Sequence, residues 1–131
     1  VALNYMEHAA ELAADDDSIL ANFAAMLLED NQAEKALATA RKAAALNPKN
    51  AHAHVAVGAC LADLGDLDKA LEATETALKL EPDYGRAHLN RGQILVKLGK
   101  KDEGATELKK AAELDPSLAP IAKRLLERIP K

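Results

Sequence analysis

Apolar residues recur along this chain at the i, i+3, i+4, i+7 spacing of an amphipathic helix, and the helical pattern itself recurs every 34 residues. The break between copies is a proline each time, at Pro48, Pro82 and Pro116. Each follows a leucine and a polar residue: Leu46-Asn47-Pro48, Leu80-Glu81-Pro82 and Leu114-Asp115-Pro116. Proline cannot continue a helix, and it biases its predecessor away from helical geometry. Placing the prolines at position 32 of a 34-residue unit divides the chain into 17–50, 51–84 and 85–118. Position 15 is then Asn31, Gly65 and Gly99, residues that tolerate the left-handed conformation ending a helix. The unit reads as helix, tight turn, helix, break. First helices are expected near 19–30, 53–64 and 87–98, and second helices near 33–46, 67–80 and 101–114. Asp66 is expected to cap the second of these second helices.

Side-chain size is shared between copies at helical spacing. Position 8 is small (Ala24, Gly58, Gly92) and so is position 20 (Ala36, Ala70, Gly104). Position 11 is leucine (Leu27, Leu61, Leu95), position 27 alanine (Ala43, Ala77, Ala111) and position 30 leucine (Leu46, Leu80, Leu114). Paired helices that cross closely at positions 8 and 20 need small residues there, and the leucines are expected to fill the space on either side. Small at 8, large at 11, a turn at 15, alanine at 20 and 27 and proline at 32 resembles the tetratricopeptide repeat.

The resemblance covers 17–118 as three full repeats of a single domain, 1–131. It extends to 1–16 as the second helix of a partial repeat, with Ala2 and Ala9 at positions 20 and 27, and to 119–131 as a capping helix. It implies an all-α, right-handed superhelical solenoid of antiparallel helix pairs, with first helices lining a concave groove. The sequence departs from the family pattern in places. Leu20, His54 and His88 replace the usual aromatic at position 4, Lys101 stands where a bulky apolar residue is usual, and Gly104 replaces alanine inside a helix at about 1 kcal/mol. The third repeat is therefore expected to be the loosest. After Pro120, a residue suited to a first helical turn, Ile121, Ala122, Leu125, Leu126 and Ile129 form an apolar face opposite Lys123, Arg124, Glu127 and Arg128. That is the pattern of a terminal helix closing an open solenoid end.

Composition sharpens this picture. Nearly half the residues are hydrophobic, yet the aromatics are limited to Tyr5, Phe23 and Tyr84, so the core should be thin and continuous. Net charge is −4, which argues against non-specific nucleic-acid binding. The charge is graded: residues 1–16 carry four acids and no base, and 51–84 carry seven acids and two bases. Residues 85–118 carry five acids and seven bases, and 119–131 one acid and four bases. The lone Cys60 excludes an internal disulfide. With no signal-peptide pattern and no membrane-spanning run, direct membrane insertion is not expected; the compartment stays open, with the cytoplasm favoured. The sequence opens at Val1, in mid-repeat, which leaves open whether it is an excerpt from a longer chain.

Chemistry of the catalytic kind is hard to find. His52 and His54 diverge by about 200° on a helix, whereas a helical metal pair wants i, i+4. His54 and His88 share a packing position, and Cys60 falls at a buried one. Asp15, Asp16 and Asp17 precede Ser18 as a helix-capping cluster. No metal, no cofactor and no enzymatic activity are expected.

What remains is the groove. In the family, positions 2, 5, 6, 9, 12 and 13 of each first helix face it, which selects Asn22, His52, Val55, Ala59, Arg86, Leu89, Asn90, Gln93 and Lys97, with Lys123 from the terminal helix. The floor reads as small and apolar in the first two repeats and as polar and basic in the third. The two-carboxylate clamp of one chaperone-binding subclass would need polar residues at Ala21, Ala25 and Ala56, and only Arg86 keeps its charge. The resemblance thus implies a non-catalytic module that binds a peptide segment of a partner protein. Apolar side chains of the segment would meet Val55, Ala59, Leu89 and Val96, and an acidic group would meet Arg86, Lys97 and Lys123. Three alternatives stay open. Arg86 and Lys97 read equally well as solvated charges, the acidic front and basic back could stack copies head to tail into a homo-oligomer, or the array could be the adaptor arm of a larger enzyme or complex.

Overall fold

The computed structural model describes residue 8 and residues 15–130, and the expected partial repeat with Ala2 and Ala9 lies outside the described residues. Seven α-helices follow from Asp17 onward: α1 (Asp17–Glu29), α2 (Ala33–Leu46), α3 (Ala51–Asp63), α4 (Leu67–Leu80), α5 (Gly85–Lys97), α6 (Lys101–Leu114) and α7 (Ala119–Glu127). A 3₁₀ turn, Pro116–Leu118, leads into α7. The helices pair α1 with α2, α3 with α4 and α5 with α6, and each pair packs on the next. Helix α3 also touches both α1 and α5 directly, so these three form the inner layer of an all-α solenoid.

The first helices begin two residues earlier than their apolar pattern suggests, and polar residues ahead of α1 and α3 cap their first turns, whereas Tyr84 ahead of α5 makes no side-chain cap. The Asp16 carboxylate accepts from the backbone amides of Ser18 and Ile19 at 3.0 and 3.2 Å. The Asn50 side chain accepts from Ala53 N at 3.1 Å. Asn47 and Asn50 both donate to the Asp17 carboxylate, at 3.1 and 2.7 Å, tying the first proline break to the start of α1 and lowering the Asp17 pKa. Asp66 stands at the N-cap of α4 but accepts no capping hydrogen bond; its carboxylate lies 3.9 Å from Lys69 Nζ.

Within each pair the turn is the same. Asn31, Gly65 and Gly99 all have positive φ, and the following residue donates back to the leucine at position 11. The bonds Gln32 N to Leu27 O, Asp66 N to Leu61 O and Lys100 N to Leu95 O close these helix ends. That geometry sets the two helices antiparallel and brings positions 8 and 20 together. Ala24, Ala36 and Ala70 are fully buried, and a Cβ built on Gly58 would meet Ala70 O at 3.1 Å.

Two packing expectations change. Leu27, Leu61 and Leu95 are core residues, but Leu46 and Leu80 are 42% and 38% exposed. They are the last residues of α2 and α4, where the chain turns off toward the proline and leaves them uncovered. Gly104 is not a loose point either: a Cβ there would lie 2.9 Å from Gly92 O, so α5 and α6 cross closely because both residues are glycine. At the far end, Ala122 is buried and Ile121, Leu125, Leu126 and Ile129 pack against Leu89, Leu108, Ala111 and Leu118. The apolar face of α7 thus covers the open end of the α5–α6 pair.

Candidate functional site

Because successive first helices run side by side, residues at equivalent positions line up in rows across the inner layer. Between α1, α3 and α5 these rows enclose a groove of about 410 Å³. Its floor is made of small side chains, Ala25, Ala56, Ala59 and Ala62, with Val55, Leu28 and Ile94. The polar lining comes from His52, Arg86, Asn90, Gln93, Lys97, Glu29 and Asp63.

The structure brings together seven of the expected site residues here: His52, Val55, Ala59, Arg86, Asn90, Gln93 and Lys97. Three stand elsewhere. Asn22 is exposed on α1 and does not line the groove. Leu89 is buried in the core with Leu108, Ala111, Leu118 and Ala122; position 5 is buried in all three first helices, at Ala21, Val55 and Leu89. Lys123 lies on the exposed face of α7, outside the groove. Val96, expected as an apolar contact, points at the α5–α6 crossing, where its Cγ2 would meet a Cβ on Gly104.

Arg86 and Lys97 do not converge on one point. They are eleven residues apart on α5, so they share a face but stand about 16 Å apart along it. Arg86 and His52 occupy the second residues of α5 and α3, at one end of the groove. Glu29, Asp63 and Lys97 are the last residues of α1, α3 and α5, at the other. Among the described residues, none of these charged groups has a salt-bridge partner, and the Asn90 and Gln93 amides make no hydrogen bond within the chain.

His52 is held by its surroundings. Its Nδ1 lies 3.1 Å from the Tyr84 hydroxyl. Burial and the neighbouring Arg86 charge together lower its pKa, so the imidazole is neutral at pH 7. Burial, with Glu81, pushes the Tyr84 phenol up, so it stays protonated as a hydrogen-bonding group. Tyr84 was not among the expected site residues. Its place at position 34, next to position 2 of the following helix, was the available signal. Cys60 sits fully buried beside the floor, and burial with Asp63 pushes its thiol up to about 11, so it is no thiolate nucleophile at neutral pH.

Sequence and structure comparisons agree with this architecture. The tetratricopeptide repeat pattern matches residues 22–76 and 61–119. No curated protein matches the chain. Among solved structures, a thermophilic tetratricopeptide-repeat protein of Thermus thermophilus superposes with a TM-score of 0.82 at 25% identity, over 88% of this chain and 65% of its own. YrrB, described as a tetratricopeptide-repeat protein with an unusual peptide-binding site, gives a TM-score of 0.72 at 26% identity, over 94% of this chain and 64% of its own. This chain therefore spans just under two thirds of the length of each. The Yersinia enterocolitica type III secretion translocator chaperone SycD shares the fold, with a TM-score of 0.75 at 21% identity over 91% of this chain and 95% of its own. Among the described residues, no helix is long and apolar enough to cross a membrane.

Proposed function

The chain belongs to the tetratricopeptide repeat family, and we propose that it is a non-catalytic protein-interaction module whose groove binds a peptide segment carrying an acidic group. One observation carries this reading: a groove of small apolar side chains whose polar groups, Arg86, Asn90 and Gln93, have no partners within the described chain. Desolvating such groups without replacement partners is costly, so an occupant that supplies them is favoured over an apolar one. The peptide-binding site in the description of YrrB supports the same reading by similarity. The acidic group belongs at Arg86, with His52 beside it.

The test compares charge reversal inside and outside the groove. A peptide recovered by display on this chain is titrated against Arg86→Glu with Lys97→Glu, and against Lys42→Glu on the exposed side of α2. The groove variant is expected to lose about tenfold or more in affinity, the α2 variant less than about twofold. Equal affinity for both would rule out the groove as the binding face.

The acidic group also predicts a pH dependence. In the free protein His52 is disfavoured as a cation, since burial and Arg86 both oppose its charge. A bound carboxylate would offset the Arg86 charge and favour the imidazolium, so protonation of His52 is easier in the complex than in the free protein. Binding that takes up a proton strengthens as pH falls. Affinity is expected to rise as pH falls below the ordinary histidine range toward the lowered His52 value, and His52→Ala should flatten that rise. A pH-independent affinity in the wild-type chain would place the acidic group elsewhere.

A further inference from the structure

The distribution of charge in the groove says more about the occupant than that it is acidic. We propose that the groove takes an extended segment bearing one acidic and one basic residue about five positions apart, the acid on Arg86 and His52 and the base on Asp63 and Glu29. This rests on the groove being the binding face and specifies what it selects.

The spacing comes from the helices. Positions 2 and 13 of a first helix are eleven residues apart, about 16 Å at the helical rise. An extended chain covers that distance in about five residues. The polarity comes from the side chains at each end. Arg86 offers positive charge and hydrogen-bond donors, with the neutral His52 imidazole beside it, at the N-terminal ends of α5 and α3, where the helix dipoles add positive potential. Glu29 and Asp63, against Lys97 alone, leave the opposite end net acidic, and the C-terminal dipoles of three helices reinforce it. A purely acidic segment would meet repulsion there, and a purely basic one at Arg86.

The extended conformation follows from the middle of the groove. Asn90 and Gln93 lie one helical turn apart on one face of α5, and each amide carries a donor and an acceptor with no partner in the described chain. An extended backbone presents free N–H and C=O groups to such amides, whereas a helical occupant has already paired its own. The alanine floor allows that backbone to approach closely.

The experiment selects displayed random peptides of twelve residues on the 131-residue chain. The enriched pool is expected to carry an acid and a base about five positions apart. On Asp63→Lys with Glu29→Lys, the base in the selected peptides should be replaced by a second acid, and on Arg86→Glu the acid should be replaced by a base. Binding of individual peptides to the wild type should fall by about tenfold or more when either charge is neutralised. Enriched peptides without the charge pair, or pools unchanged by the reversals, would overturn the inference while leaving the groove reading intact. Peptides that bind Ala59→Arg, a blocked groove, as well as the wild type would overturn both, as would a selection that yields no binder.

Discussion

Gly104→Ala is expected to destabilise the chain, although helix propensity alone predicts a gain. Replacing a mid-helix glycine by alanine ordinarily returns about 1 kcal/mol. At this position the new Cβ would lie 2.5 Å from Val96 Cγ2, 2.9 Å from Gly92 O and 3.1 Å from Val96 N. Val96 can turn its methyl away, but two of the three contacts are backbone, so α5 and α6 must move apart. Overpacking of this kind costs about 1–3 kcal/mol, and the separation would also loosen Leu108 and Ala111 against α5. The net expectation is a loss of up to about 2 kcal/mol, read as a lower urea midpoint with an unchanged slope. Gly92→Ala should act in the same direction, since its Cβ would meet Leu108 Cγ at 2.9 Å and Gly104 O at 3.0 Å. The two losses should be less than additive, because the first substitution already opens the crossing that the second needs. A raised melting temperature for Gly104→Ala would show that the crossing is slack.

That crossing illustrates how far the sequence could be read. The 34-residue period, the turns at Asn31, Gly65 and Gly99 and the bounds of α2, α4 and α6 follow from local chemistry: a proline, a left-handed residue and helical spacing. Positions 8 and 20 were legible as small, yet the sequence alone makes Gly104 a weakness. Only the neighbouring helix reveals it as a necessity, and the pairs Ala24/Ala36, Gly58/Ala70 and Gly92/Gly104 form a graded series of decreasing side-chain size. The groove was legible by position through the family resemblance, and seven of the ten named residues line it. Leu89 turns into the core as Ala21 and Val55 do at the same position, and there it meets Leu118 and Ala122 of the terminal segment, a long-range contact that its own helix does not encode. Arg86 and Lys97 were grouped because they share a helix face, and the distance along that face separates them.

His88 is where long-range pairing and the repeat meet, and His88→Ala is expected to cost about 2–4 kcal/mol. His54 and His88 hold the same place in successive repeats, and each binds the carbonyl of the preceding proline, at 2.8 and 2.7 Å. That bond fastens the break between repeats to the helix that follows, a role the apolar reading of position 4 did not contain. His88 alone has a second partner: its Nδ1 lies 2.6 Å from Glu107 Oε2, and Arg91 holds the other carboxylate oxygen at 3.2 Å. Carbonyl and carboxylate both accept, so the arrangement is complete when the ring donates on both sides. The His88 and Glu107 side chains are only 8% and 16% exposed, which keeps solvent from replacing a lost partner. In the second repeat the corresponding residues are Val57 and Ala73, so half-buried His54 makes the proline bond without the ion pair. His54→Ala is therefore expected to cost no more than about 1 kcal/mol. His88→Phe, which restores the family's usual aromatic, should recover the packing but not the charge-assisted bond. A His88/Glu107 double-mutant cycle should give a coupling of about 1 kcal/mol or more, measured by urea denaturation. Equal costs at His54 and His88 would mean that the Glu107 pair adds nothing and that the proline carbonyl is the whole of the histidine's contribution. Unequal costs with no coupling would assign the difference to burial alone.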